Sequence, residues 1–292
     1  MYEACCAAVD RAGGTVGSLT DATVLIWADP LAADAFPGII AQAPHVEWIQ
    51  LPYAGVEPFV EHLDLDHVWT CGKGVYAEPV AEHVMALALA AFRDIHRYAR
   101  ESRWSAQTGR NLLGARVTVL GGGGITEHLI GLLEPFGCTI TVVRREATPV
   151  DGAARTLTTD RLHTALADAD LVVVALALTP ETTGIIDAAA LDAMPQHAWL
   201  VNVARGGHVV TDDLIAALRS GAIAGAALDV TDPEPLPDDS ALWQLDNCII
   251  TAHVGNTPEM GLPLIADRVE DNVRRFLAGE PLVGLVDVSR GY

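Results

Sequence analysis

The chain has almost no lysine. Lys73 is the single one among 18 basic side chains, the rest being arginine, and they face 38 acidic ones for a formal charge of −20. A surface so poor in positive charge repels phosphate backbones and anionic headgroups, which argues against nucleic acid and membranes as partners. Aromatic residues are scarce at 5%, yet half of the sequence is apolar and rich in alanine and valine. Cores of that kind suit layered α/β architectures. The five cysteines (Cys5, Cys6, Cys71, Cys138, Cys248) are scattered, odd in number and never spaced C-x-x-C. Neither a disulfide framework nor a zinc site is expected from them, no metal is assigned, and a reducing compartment fits. No basic segment followed by an apolar one opens the sequence at Met1-Tyr2-Glu3, so a signal peptide is not expected. Apolar runs such as Leu171 to Leu178 fall far short of the ~20 residues that span a bilayer. The expected location is the cytoplasm.

What the sequence does have is alternation. Val24–Trp27, Trp48–Leu51 and Val68–Thr70 read as short strands, followed by a long helical stretch from Glu78 to Glu101. Strands then recur at Val117–Leu120, Thr139–Val143, Leu171–Ala175, Trp199–Val203, Ala226–Asp229 and Ile249–Thr251. A helix over Thr211–Ser220, stopped by Gly221, is one of those that fit between them. Alternation of this kind builds a parallel sheet with helices on both faces.

Two patterns carry chemistry. In the first, Val117-Thr118-Val119-Leu120 runs into Gly121-Gly122-Gly123-Gly124-Ile125 and then into a helix. Gly121 permits the tight turn and Gly123 lets backbone approach a pyrophosphate, while amides at Gly124 and Ile125 open the helix toward its charge. The position of a usual third glycine is Thr126, so the helix is expected to shift slightly. The next strand ends on Arg144 and Arg145 where an NAD-binding version carries an acidic residue. Guanidinium groups there pair with a 2′-phosphate, which favours NADP over NAD.

In the second pattern, Arg205, Glu234 and His253 each follow an apolar run that reads as a strand. All three therefore fall where strands end, the edge at which ligands bind open α/β sheets. With the glycine turn, their motifs resemble the D-isomer-specific 2-hydroxyacid dehydrogenases, most strongly from Val117 to Val254. Thr251-Ala252-His253 departs from that family's Thr-Pro-His, which loosens the loop and keeps the imidazole.

The resemblance implies two Rossmann-like domains, a doubly wound nucleotide-binding sheet and a smaller flavodoxin-like substrate domain. Residues 1–92 would begin the substrate domain, 93–264 form the nucleotide domain, and 265–292 return to the first. The family's first strand would precede the helix that Tyr2-Glu3-Ala4-Cys5-Cys6 resembles; either it is lost, which would leave a sheet edge exposed, or this start is internal to a longer chain. By resemblance, His253 is the proton donor and acceptor, Glu234 orients it and raises its pKa, and Arg205 grips the substrate carboxylate. Thr179 and Thr183 lie in the loop beneath the cofactor. Val203 and Ala204 lie beside its nicotinamide ring, and Asp229 accepts from the ring's carboxamide. Backbone amides of Ala54, Gly55 and Val56 would hold the substrate carboxylate as an anion-binding nest does, with Tyr53 shaping the pocket. Val75 and Tyr76 would pack against the nicotinamide. The implied activity is hydride transfer between NAD(P)H and a small 2-oxo or D-2-hydroxy acid, glyoxylate or hydroxypyruvate among them, by a homodimer with Trp104 near its interface. A non-catalytic, nucleotide-sensing interaction protein of the corepressor kind is the alternative on the same scaffold.

Overall fold

The structure is a computed structural model that describes residues 1–29 and 32–291. It separates into two compact units, Met1–Tyr76 with Asn256–Tyr292, and Ala77–Gly255.

The first unit holds a three-stranded parallel sheet in the order β1 (Val24–Ile26), β2 (Trp48–Gln50), β3 (Val68–Thr70). Helix α1 (Tyr2–Arg11) packs with the returning helix Pro258–Ala278, where Cys5 and Ala8 meet Ala266, Val269 and Val273 over Trp48. The sheet's other face carries an aromatic cluster of Trp27, Phe36, Phe59 and Trp69. Phe36 opens the short helix α2 (Phe36–Ile40). Among the described residues strand β1 pairs with β2 alone and is an edge of this sheet. The outer side of β3 is met by the chain at Leu285 and Val286.

A fully buried polar network lies at the carboxyl ends of β2 and β3. Gln50 Oε1 accepts from the Thr70 hydroxyl (2.8 Å) and from Asn272 Nδ2 (3.0 Å), and Trp48 Nε1 donates to Thr70 (2.7 Å). Asn272 exchanges two further bonds with the backbone of Val283. Buried polar groups satisfied this completely fix one arrangement, because each left alone would cost about 1–3 kcal/mol.

The second unit opens with α3 (Ala77–Phe92) and the single turn α4 (Ile95–Tyr98). The helix expected through Glu101 breaks at Asp94, whose φ of 52° is left-handed. The unit's parallel sheet comprises β4 (Arg116–Leu120), β5 (Thr139–Arg144), β6 (Arg155–Thr158), β7 (Leu171–Val174), β8 (Trp199–Asn202), β9 (Gly225–Leu228) and β10 (Cys248–Ile250). The spatial order is β10-β9-β8-β7-β4-β5-β6. It is the doubly wound order with one strand added beyond β9, and the crevice at its point of reversal lies between β4 and β7. The sequence reading misses β6, which is an edge strand with no fully buried position and so lacks an apolar signature.

Helices α5 (Gly124–Leu133), α6 (Leu162–Leu166), α7 (Ala188–Ala193) and α8 (Thr211–Ser220) cover the two faces, and Gly221 ends α8 in the left-handed region. The sequence reading divides the chain after 92 and after 264, whereas packing divides it after Tyr76 and after Gly255. All of α3 belongs to the second unit because Val84, Ala88 and Ala91 are buried in one core with Leu129 of α5 and Val201 of β8.

Candidate active site

The glycine turn comes first, since the site is built on the carboxyl edge of the second unit's sheet. Gly121 has a φ of 112°, and a Cβ there would lie 2.2 Å from the carbonyl oxygen of Ala175, just past β7. Only glycine lets the loops after β4 and β7 approach this closely. Gly123 is different. It caps α5 with an ordinary φ of −102°, and a Cβ built on it meets nothing within 4 Å. Protein packing therefore does not require a glycine at 123, and the position stays open beside the amides of Gly124 and Ile125 that start the helix, the kind of cradle that suits an anion such as a pyrophosphate.

Thr126, at the third glycine position, is fully buried and donates from its hydroxyl to the carbonyl of Gly121 (2.8 Å). Threonine therefore ties the first turn of α5 to the strand end. Strand β5 ends on Arg144, whose stem lies on Gly122, with Cδ 3.0 Å from where a Cβ would be. Arg145 is exposed. Glu181 is held below its usual pKa, chiefly by a hydrogen bond from Thr179 and in smaller part by Arg145. In that loop the Thr183 hydroxyl donates to the Thr179 carbonyl (2.9 Å), and the Thr182 hydroxyl accepts from the Thr179 amide (2.8 Å). The threonine side chains thus shape the turn itself.

Strands β8, β9 and β10 are neighbours, and Arg205, Glu234 and His253 follow them in that order. Gly206 sets the first spacing, because a Cβ there would fall 2.0 Å from the carbonyl carbon and oxygen of Thr231. The Arg205 loop is in this way pressed onto the backbone leading to Glu234. Two residues that sequence reasoning passed over pin Arg205: Asn202 Nδ2 donates to its carbonyl (2.9 Å), and buried His208 meets the same oxygen through Nδ1 (3.0 Å). A polar residue within the apolar run Trp199–Asn202 was the available signal. Val203 and Ala204 are buried beside them.

His253 Nδ1 lies 2.7 Å from Glu234 Oε1, and both side chains are about half exposed, at 48% and 41%. With Glu234 accepting the Nδ1–H, Nε2 is left to meet a substrate. The sequence alone did not reveal how His253 is carried. Its φ is 53°, in the left-handed region, and its amide donates to the Asp229 carbonyl (2.8 Å). The Asp229 carboxylate, 2% exposed, accepts from the Thr251 hydroxyl (2.6 Å) and from the amides of Val254 and Gly255 (2.9 Å each). Burial raises its pKa, but hydrogen bonds from His83, Thr251, Val254 and Gly255 outweigh that and hold it far below the usual carboxylate range. Most acceptor sites of Asp229 are thus taken up by the protein, with Oδ2, bonded among the described residues to Gly255 alone, keeping a lone pair for another donor.

The loops after β2 and β3 form a second cluster, wholly within the first unit. Gly72 donates to the Tyr53 carbonyl (2.8 Å), and a Cβ on it would fall 2.9 Å from the Pro52 oxygen. The Tyr76 hydroxyl donates to Pro52 (2.6 Å), its ring stands edge-on to Tyr53, and burial pushes its pKa up. Val75 closes the turn onto Gly72 (3.0 Å). Arg268 Nη1 caps the carbonyls of Cys71 (3.3 Å) and Lys73 (3.1 Å). Val56 is buried, whereas Tyr53 and Ala54 are exposed. Among the described residues, none accepts from the amides of Ala54, Gly55 or Val56. Gly55 is not left-handed, so the loop is not the alternating form of a nest.

Residues 84–255 match the family model described as D-isomer specific 2-hydroxyacid dehydrogenase, NAD binding domain. The human glyoxylate reductase/hydroxypyruvate reductase is 32% identical over 241 residues, covering 76% of this chain and 73% of that protein. A D-isomer specific 2-hydroxyacid dehydrogenase from Xanthobacter autotrophicus, solved with NADPH and MES, superposes with a TM-score of 0.84 at 33% identity, covering 100% of this chain and 95% of that one. The NADPH-dependent glyoxylate/hydroxypyruvate reductase from Sinorhizobium meliloti, solved with NADP and sulfate, also gives 0.84, at 26% identity and 100% and 97% coverage. With the doubly wound sheet, the glycine turn and the three strand-end residues in place, the chain belongs to the D-isomer specific 2-hydroxyacid dehydrogenases, a family of NAD(P)-dependent oxidoreductases.

Proposed function

We propose that this protein reduces a small 2-oxo acid to the D-2-hydroxy acid with NADPH, glyoxylate and hydroxypyruvate being the favoured substrates. The 2.7 Å pairing of His253 Nδ1 with Glu234 carries the reading. Bound NADPH supplies the hydride. His253 Nε2 gives its proton to the carbonyl oxygen as that oxygen gains negative charge, and Glu234 balances the imidazolium before transfer. The Arg205 guanidinium holds the substrate carboxylate and polarises the carbonyl, which a planar fork of donors suits. Within the first unit, the amides of Ala54, Gly55 and Val56, for which no acceptor is found among the described residues, are candidate donors to a carboxylate, with Tyr53, Val75 and Tyr76 in the same loop cluster.

For the cofactor, the amides of Gly124 and Ile125 beside Gly121 and Gly123 would hold the pyrophosphate. Arg144 and Arg145 would hold the 2′-phosphate, since β5 ends on a cation. Thr179 and Thr183 would lie beneath the cofactor at its phosphate or ribose, and Val203, Ala204 and Asp229 would complete the nicotinamide end. Similarity to the human and Sinorhizobium glyoxylate/hydroxypyruvate reductases supports the substrates, and the NADPH dependence of the Sinorhizobium enzyme supports the cofactor. Loss of nicotinamide absorbance with a panel of 2-oxo acids, run with NADPH and NADH side by side, tests the reading. The expected result is turnover with glyoxylate or hydroxypyruvate and a preference for NADPH. Tight cofactor binding without turnover on any acid would favour the nucleotide-sensing alternative instead.

A further inference from the structure

His83 lies two turns into α3, at helical spacing with the apolar Val80, Val84 and Leu87. Its Nε2 is 3.2 Å from the Thr251 hydroxyl and 3.2 Å from Asp229 Oδ1. The Thr251 hydroxyl itself donates to that same Oδ1 at 2.6 Å. An Nε2–H is therefore shared between a hydroxyl oxygen and a carboxylate that is 2% exposed, and the imidazole is 17% exposed. Asp229 in turn organises the loop at the end of β10, taking the amides of Val254 and Gly255 on its carboxylate and that of His253 on its carbonyl. The loop backbone also rests on α3, since a Cβ on Gly255 would lie 3.0 Å from Asp229 Oδ2, 3.6 Å from the His83 ring and 3.6 Å from Val80. His253 has a left-handed φ of 53°, which costs a side-chain-bearing residue energy unless its surroundings over-determine it. The bonds gathered on Asp229 do this, and among the described residues His83 is their one link to a helix side chain.

We propose that His83 is a positioning residue for the proton donor: through Asp229 and Thr251 it fixes the left-handed loop that aims His253. The proposal deepens the functional reading above and rests on His253 being that donor. His83 touches none of the reacting atoms in this account. Its contribution is the single N–H that locks Asp229 Oδ1 and the Thr251 hydroxyl into one arrangement.

The test compares His83→Leu, which keeps bulk and loses the N–H, with His83→Gln, whose amide restores a donor. In the cofactor-free protein, amide hydrogen exchange at Val254 and Gly255 should speed up about tenfold in the leucine variant, with exchange in β4 and β7 unchanged. Its kcat should fall by about tenfold or more while KM for the 2-oxo acid stays constant, because a misaimed donor costs rate rather than binding. Glutamine should restore both to within about threefold of the wild type. Thr251→Val, which removes the other contact of Nε2, should reproduce the loop-specific loss and stands in if the leucine variant does not fold. Unchanged loop exchange in the leucine and valine variants, or no rescue by glutamine, would overturn the proposal. Absence of turnover in the wild type would strike at the functional reading alone, because the exchange measurement needs no substrate.

Discussion

Glu234 and His253 are each about half exposed, so their 2.7 Å contact is screened by water and contributes little to stability. Its value is directional: it commits Nδ1 and leaves Nε2 free to act. Glu234→Gln should therefore leave the melting temperature unchanged and lower kcat/KM by about a hundredfold, the scale on which positioned proton transfer operates. A spectrophotometric rate assay beside a thermal melt checks both halves.

Asp229 is the opposite kind of residue, buried and met by four donors from His83, Thr251, Val254 and Gly255. Its folded pKa is depressed, so the unfolded chain binds its proton more readily. The stabilisation is complete above the ordinary carboxylate pKa of about 4 and is lost as pH falls below it toward the folded value. Denaturation at neutral pH should show Asp229→Asn destabilised by about 2–3 kcal/mol, with the gap to wild type narrowing as the pH drops through about 4 and below. A gap independent of pH would contradict this account of the carboxylate.

The glycines act on whole elements. Gly206 lets the loops after β8 and β9 touch at a distance no Cβ allows, and Gly121 does the same after β4 and β7. Gly206→Ala should cost several kcal/mol, about 3 or more, because the Thr231 backbone it would meet has to move. Gly123→Ala should leave stability unaltered, since its Cβ enters open space, and should weaken NADPH binding at least about tenfold if, as proposed, the pyrophosphate approaches there. Thermal melts and cofactor titrations on the two variants separate the roles.

Most of this scale was readable in the sequence. Buried parallel strands are near-continuous apolar runs, and β4, β5, β7 and β8 announce themselves that way. β6 does not, because an edge strand of Arg155–Thr158 has no such run. The triad could be read because each member ends a recognisable strand. His83 could not, because its partners Asp229 and Thr251 lie far away in the chain and no local pattern encodes them, whereas Asn202 and His208 reach the Arg205 carbonyl three residues away, with a polar residue in an apolar run as the signal for Asn202.

For the molecule as a whole, the division after Tyr76 and after Gly255 gives the nucleotide fold its own core, consistent with a family match over residues 84–255. Trp104 is 95% exposed, an unusual place for the largest apolar side chain. A homodimer, expected from the family resemblance, would place it near the interface. Sedimentation at micromolar concentration should show a dimer, and Trp104→Ala should shift it toward monomer by raising the dissociation constant about tenfold or more. A wild-type monomer would remove the dimer from the account and leave the chemistry of each chain untouched.

The central claim is that a proton donor aimed by Glu234 reduces a 2-oxo acid at the carboxyl edge of this sheet. The measurement that reaches it most directly is NADPH-dependent reduction of glyoxylate and hydroxypyruvate by wild type and His253→Gln, with NADPH affinity determined on both. The account predicts turnover by the wild type, a loss of at least about a hundredfold in the variant, and equal cofactor affinity. Undiminished turnover without the imidazole, or a wild type that binds NADPH and reduces neither acid, would contradict it.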